Sequence, residues 1–267
     1  MTVLALILIF LIGLVVGSFL NVVILRGARG ESVRGRSRCD SCKRVLGWRE
    51  LIPILSYVMQ KARCRSCGAA LSSQYPLVEL GTGFAFAVTL GYFGFSADYL
   101  NISVFQYLGL AAALIAVSAG IVILVADLRW QIIPNGAVLA LLIALIGRVL
   151  PVDPSLAWIN WAADLISALI AALFFVSLWF FSRGRWMGLG DAKLIFATSL
   201  LVGFPASMVA ILFAFWFGGI AGILLLAFRA RTLKSRIPFG PFILAGAALA
   251  FFLADRFLAF TGLGLLL

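Results

Sequence analysis

Three carboxylates and four cysteines are the residues of this chain best placed to do chemistry. Asp127 closes the charge-free run Tyr99–Ala126, Glu79 precedes the run Leu80–Ala97, and Asp191 stands three residues before the run Leu194–Phe228. Ionisable side chains at such borders of apolar segments are costly and usually functional. Two aspartates on the same side of one helical bundle can approach closely enough to share a proton. They cannot then both stay ionised, so one serves as acid and the other as base. Such a pair can activate a water and protonate a departing amine, without a metal or a covalent nucleophile. The same pair would equally serve proton or ion transport, and the residues alone leave both readings open. Each aspartate also has a plainer reading: Asp191 as the cap of a helix start, and Asp127 as a helix-end residue paired with Arg129.

The chain has 267 residues, with 64% hydrophobic residues, 12% charged and no histidine. Its mean hydropathy of +1.14 exceeds what a soluble domain can hide. Without histidine, Ser-His-Asp and Cys-His catalysis and imidazole metal ligation are excluded. Only ten carboxylates exist. Glu31, Asp40 and Glu50 lie in a basic loop, Asp98 and Asp153 in outer loops, and Asp164 and Asp255 near outer helix ends. The last four read as solvated boundary residues, which leaves Glu79, Asp127 and Asp191.

All four cysteines fall in two C-x-x-C pairs, Cys39/Cys42 and Cys64/Cys67, with 21 residues between the pairs. Each pair offers two thiolates from one tight turn, and two such knuckles complete a tetrahedral Zn²⁺ site. The spacing lies just outside the usual ribbon window, and a cytoplasmic loop disfavours disulfides. Four thiolates leave no open position, so a zinc there is structural. A redox pair or free thiols are the alternatives. Between the knuckles, the apolar stretch Leu51–Val58 is too short to span. It either packs beneath the knuckles or lies at the membrane interface.

Holding the aspartates requires a bundle. Charge-free runs at Met1–Leu25, Leu80–Ala97, Tyr99–Ala126, Trp130–Gly147, Leu165–Ser182 and Ile237–Ala254 each suit one span. Leu194–Phe228, at 35 residues, would be a helix of about 52 Å. Gly203-Phe204-Pro205 is the natural break inside it. The expectation is therefore an all-α membrane protein of about eight transmembrane helices, with a small zinc-ribbon-like insertion between helices 1 and 2. Met1–Leu25 lacks a basic start and a signal-peptidase-type site, so it reads as a retained span. Ten Lys/Arg lie between Gly27 and Ser72. Further basic residues cluster at Arg183, Arg185 and Lys193, and at Arg229, Arg231, Lys234 and Arg236. With eight spans these clusters and Arg129 share one side, against Arg148 and Arg256 on the other. The positive side is cytoplasmic, which puts both termini outside and the cysteine loop inside, near anionic lipid headgroups. Asp191 to Val202 covers only about 18 Å of a core of about 30 Å. Asp191 therefore lies below headgroup level, and Gly188 and Gly190 permit an unwound backbone beside it.

Several ordered segments then resemble one family. Gly17-Ser18-Phe19-Leu20-Asn21-Val22-Val23, the two cysteine knuckles, Glu50-Leu51-Ile52-Pro53 and Tyr75-Pro76-Leu77-Val78-Glu79-Leu80 resemble the N-terminal region of the prepilin peptidases, the type IV leader peptidases. Asp127 with Ile133-Pro134-Asn135, Gly188-Leu189-Gly190-Asp191-Ala192-Lys193, and Ile237-Pro238-Phe239-Gly240-Pro241-Phe242 resemble their peptidase region. Two details depart from the pattern: Glu50 stands where Asp is expected, and Arg26 is followed by Gly-Ala rather than a nearby Pro.

The resemblance implies an inner-membrane aspartic peptidase, with Asp127 and Asp191 as the catalytic pair and prepilins or pseudopilins as substrates. Cleavage of the basic leader after a Gly would be followed in many members by methylation of the new amine with S-adenosylmethionine. That second activity is associated with the cysteine-bearing region. Glu79 is the candidate to bind the cationic methyl donor or the substrate amine, its alternative being a partner for a loop arginine. Gly188, Gly190, Pro238 and Gly240 are expected to shape the cleavage cleft, the last two in a fixed turn near the aspartates. The expected organisation is helix 1 over 1–26, a tetra-cysteine region over 27–74 and a seven-helix peptidase region over 75–267. Partners are the prepilins and the lipid bilayer, with no nucleic acid. A peptidase without methyl transfer, a transporter and a non-enzymatic assembly factor are the rival readings.

Overall fold

The computed structural model describes residues 3–93, 104–149, 154–228 and 237–262. Asp98, Asp153 and the basic cluster from Arg229 to Arg236 lie outside them. In chain order the helices are α1 (Val3–Ala28), α2 (Leu55–Met59), α3 (Gln74–Tyr92), α4 (Val104–Trp130), α5 (Asn135–Ile143), α6 (Ile146–Val149), α7 (Pro154–Ser182), α8 (Leu189–Val202), α9 (Ala206–Ala227) and α10 (Gly240–Thr261). Extended pairing among the described residues is limited to two antiparallel bridges, Arg38 with Val45 and Arg63 with Ala70. The all-α expectation holds. By length and composition, α1, α4, α9, α10 and the Trp161–Ser182 part of α7 can cross a membrane, so the chain is a multi-pass membrane protein. α3 is less apolar. α5 and α8 have 9 and 14 residues, about 14 and 21 Å, short of a core of about 30 Å.

The chain divides into two compact units, Met1–Val122 and Ile123–Leu267. In the first, α1 and α3 pack antiparallel along their lengths. Phe10 meets Phe84 with ring centroids 5.1 Å apart. A Cβ on Gly13 would lie 2.7 Å from Gly83 Cα, and one on Gly17 would lie 2.8 Å from Glu79 Cα. Small residues are what allow two membrane helices this close. Below them Asn21, 1% exposed, donates to the Tyr75 carbonyl at 3.2 Å and accepts from Gln74 Nε2 at 3.2 Å. The outer face of α1 is apolar and exposed (Leu8, Leu11, Val15, Phe19). Small and polar residues face inward, as a lipid-facing helix requires. At its end Arg26 donates to the carbonyls of Ser32, Val33, Arg34 and Arg36 at 2.7–3.2 Å. This folds the following loop around one guanidinium, in place of the proline expected there.

In the second unit α8 is the central helix. Leu194, Ile195 and Ala197 are fully buried, and α8 touches α5, α7, α9 and α10. The break expected at Gly203–Pro205 separates α8 from α9. Asp164, expected to be solvated, is 3% exposed. Its Oδ1 accepts the Phe204 amide at 2.6 Å, and Ser167 on the same helix meets Ser207 at 3.3 Å. The break strips Phe204 of a helical acceptor, and a carboxylate on α7 supplies one. Asp255 is exposed as expected. The Trp130–Gly147 run, expected as one span, is interrupted into α5 and the four-residue α6.

Candidate functional site

The second unit brings Asp127, Asp191, Gly188 and Gly240 together. Asp127 occupies the last turn of α4 and is 4% exposed. Its Oδ2 accepts the amide of Gly240 at 2.9 Å, the first residue of α10. The neighbouring Arg129 guanidinium stacks over Trp130. A Cβ at position 240 would stand 2.5 Å from the same oxygen, so glycine is what lets the backbone reach the carboxylate. Gly240 in turn follows Phe239, which packs against Phe175 and Phe215 at 6.0 and 5.4 Å. Gly218 on α9 leaves room for that ring. Pro238 is half-buried just ahead of it.

Asp191 is 8% exposed and sits in the first turn of α8. Its Oδ2 accepts the amide of Gly188 at 3.0 Å, so Gly188 is the cap residue and Asp191, three residues on, closes a capping box rather than being the cap itself. Asp127 and Asp191 are thus both buried within the same compact unit. The backbone is not unwound at Gly190, which is already helical. A Cβ there would meet the Ile133 side chain at 3.2–3.4 Å. Gly190 therefore serves close packing, while Gly188 supplies the capping amide. Beside α8, Lys193 Nζ donates to Asn135 Oδ1 at 2.7 Å. Both residues border an open groove of about 600 Å³ lined by Val138, Leu142, Val176 and Phe196.

In the first unit the two cysteine knuckles have the same backbone. The Cys39 amide donates to the Arg44 carbonyl and the Cys64 amide to the Ala69 carbonyl, at 2.9 and 2.8 Å. Lys43 and Gly68 donate back to the carbonyls of Cys39 and Cys64, and both have positive φ, 59° and 71°. The four sulfurs lie within 4.8 Å of one another, with Cys39 and Cys67 at 3.8 Å. A tetrahedral ion with bonds of about 2.3 Å needs sulfurs about 3.8 Å apart, so the donor set fits one metal ion. The thiols are free, with no disulfide. The amides of Cys67 and Ser66 bring Cys64 down to about 6. The Ala69 amide pulls Cys67 down too, but burial and the neighbouring sulfurs outweigh it and hold it up at about 11. A metal would have to displace that proton on binding. Glu50 braces the first knuckle, accepting from the Gly47 amide at 2.8 Å and from Arg44 at 2.5 Å.

Glu79 is 6% exposed and borders a cavity of about 1130 Å³ shared with Asn21, Tyr75, Ser56 and Trp48. Its hydrogen bonds come from the Ile54 amide at 2.8 Å and the Ser18 hydroxyl, not from a loop arginine. Ile54 has φ 61° and ψ −54°, and the Leu55 amide reaches back to the Pro53 carbonyl at 2.5 Å. This is the rare, strained form of γ-turn, an outlier for a β-branched residue. The amide contacts of Glu79 and Asp127, the latter spanning 113 positions, carry no signal in the sequence. Asp164 and the Lys193–Asn135 contact were likewise missed, although Lys193 and Asn135 both lie inside segments that the resemblance rests on.

Comparison with known proteins places both regions of the chain in one family. Residues 11–93 match the bacterial peptidase A24 N-terminal domain, and residues 114–223 match the type IV leader peptidase family. The chain is similar to proteins named prepilin leader peptidase/N-methyltransferase in several bacteria. It is 35% identical to that of Myxococcus xanthus over 84% of this chain and 64% of that protein. For Bacillus subtilis the identity is 31%, over 94% of this chain and 95% of the relative. For Burkholderia pseudomallei it is 33%, over 94% and 86%. No solved structure gives a significant match. With matched regions covering both units and the Bacillus subtilis relative aligned almost end to end, the chain belongs to the type IV leader peptidase family.

Proposed function

We propose that this protein cleaves the leader peptides of prepilins and pseudopilins at the cytoplasmic face of the bacterial inner membrane, with Asp127 and Asp191 as the catalytic pair, and then methylates the new N-terminus. The observation that carries the reading is the pair itself. Two buried carboxylates of one compact unit are each held by one glycine amide from a different segment. One aspartate takes a proton from water while its protonated partner polarises the scissile carbonyl, and the proton passes to the departing amine as the adduct collapses. The apolar groove between α5, α7 and α8 suits the apolar segment of a prepilin, with Lys193 and Asn135 at its border. The basic-rimmed cytoplasmic surface suits a leader lying at the lipid headgroups. Gly188, Gly190, Pro238 and Gly240 frame the cleft.

In this reading about eight segments lie in the membrane, with both termini outside and the cysteine loop inside. The chain is organised as helix 1 over 1–26, the tetra-cysteine region over 27–74 and the peptidase region over 75–267. Cys39, Cys42, Cys64 and Cys67 hold a structural Zn²⁺, supported by their spacing and mutual distances. Glu79 is assigned to holding the cationic methyl donor, on the ground that it is a buried carboxylate bordering a cavity of sufficient size. When bound, S-adenosylmethionine supplies the methyl group.

The test is incubation of the purified protein in detergent with a prepilin, followed by mass spectrometry, which reads the cleavage position and a methyl increment together. Asp127→Asn and Asp191→Asn should each abolish cleavage while the protein still inserts. Full cleavage by either variant overturns the pair.

A further inference from the structure

The five-residue helix α2 is built inside out for an aqueous surface. Leu55, Val58 and Met59, at i, i+3 and i+4, share one helical face and are 51%, 65% and 63% exposed. Ser56, Tyr57 and Gln60 instead line the cavity that Glu79 borders. A water-facing amphipathic helix turns its apolar stripe inward, and α2 does the reverse.

Its position along the membrane helices accounts for this. The Ile54 amide immediately before α2 is held by Glu79. Glu79 packs against Gly17 of α1, nine residues before Arg26, the first charge on that helix. At 1.5 Å per residue this contact lies about 13 Å along α1 toward its apolar body. The strained turn at Ile54 thus tethers α2 at or below the level where α1 leaves the bilayer. α3 also carries exposed apolar residues, Leu77, Phe84 and Val88. Trp48, 70% exposed, lies ahead of α2 with Arg49 stacked on its ring at 5.1 Å, a pairing suited to the headgroup layer. Exposed Lys61, Arg63 and Arg65 follow α2, and no carboxylate occurs between Glu50 and Glu79. That charge balance suits anionic lipid.

We infer that α2 is an interfacial membrane helix. Its Leu55–Val58–Met59 face is seated in the lipid of the leaflet where α1 ends, and its polar face walls the Glu79 cavity off from that lipid. The occupant of the face is the bilayer itself. The inference needs only the membrane placement of α1 and no assignment of the catalytic residues.

The unmodified full-length chain tests it, reconstituted in nanodiscs of phosphatidylethanolamine and phosphatidylglycerol. The discs also carry a phospholipid with a diazirine in its acyl chain. After irradiation and trypsin digestion, the peptide Glu50–Lys61 should carry lipid adducts at Leu55, Val58 or Met59, at a level comparable with the peptide containing α1. Val58→Ser together with Met59→Ser should reduce that labelling severalfold while α1 stays labelled. An unlabelled Glu50–Lys61 peptide beside a labelled α1 overturns the inference, as do adducts confined to Ser56, Tyr57 and Gln60. Failure to label α1 at all would sink the membrane placement itself, and the inference with it. A photo-cross-linking residue at Val58 supplies the independent arm. A lipid adduct there supports the inference, and a link to a second copy or to a prepilin overturns it.

Discussion

Replacing Gly240 by alanine isolates how Asp127 is held. The Gly240 amide donates to Asp127 Oδ2 at 2.9 Å, and a Cβ at that position would lie 2.5 Å from the same oxygen and 3.2 Å from Cγ. Carbon–oxygen contacts settle at about 3.3 Å or more, so the carboxylate must retreat by roughly 0.8 Å. Gly240 does not have positive φ, so the backbone itself tolerates alanine and the effect is steric. A hydrogen bond to a charged acceptor contributes about 1.5–3 kcal/mol, which at 1.36 kcal/mol per decade is roughly a ten- to hundredfold loss of rate. A displacement near 1 Å points to the same scale. The assay is kcat/KM for prepilin cleavage in nanodiscs, beside methyl transfer to an already leaderless pilin. Gly219→Ala is the control, since a Cβ there meets nothing within 4 Å. Gly240→Ala should lose cleavage by that factor and keep methyl transfer. Cleavage within threefold of the parent refutes the reasoning, and so does equal loss of both activities.

Other substitutions probe the supports. Lys43 adopts φ 59° where the second knuckle has Gly68 at 71°, so Lys43→Gly should relieve about 1 kcal/mol, read as tighter zinc retention against a chelator. Asp164→Ala leaves the Phe204 amide without its carboxylate and should cost about 1–3 kcal/mol. A lowered Tm reports it, and Asp164→Asn, which keeps an acceptor, should recover most of the loss. Gly17→Ala would put a Cβ 2.8 Å from Glu79 Cα and 2.9 Å from Thr82 Oγ1. Overpacking of this kind costs about 1–3 kcal/mol, and methyl transfer should fall while cleavage persists.

Composition and spacing made the all-α membrane class, the helix break at Gly203–Pro205 and the two cysteine knuckles legible, because each follows from local chemistry. Apolar length, a proline after a glycine and paired thiols need no tertiary information. The carboxylate elimination reached Asp127 and Asp191 for the same reason, since a charge beside a long apolar run is costly wherever it folds. Asp164 was misread because its burial is decided by a partner 40 positions away. From the sequence it differs little from Asp255, which does face outward. Gly190 was misread for a related reason. The sequence shows that the backbone there is free to unwind, but not that Ile133 packs against it and benefits from the absent side chain. The amides on Asp127 and Glu79 are backbone groups, which every residue carries and no residue type announces.

The repeated knuckle has a consequence for chain entropy. Cys42 and Cys64 bracket 21 residues, and that segment contains α2 and the strained Ile54 turn. A single ion on the four sulfurs closes it into a loop. For a covalent cross-link of this length, loop-closure entropy is worth on the order of 3 kcal/mol. The ion then holds both ends of this short piece of chain, and the Glu79–Ile54 hydrogen bond holds its middle. Stripping the metal would therefore loosen the wall of the Glu79 cavity, so the ion is coupled through chain entropy to the site proposed for the methyl donor.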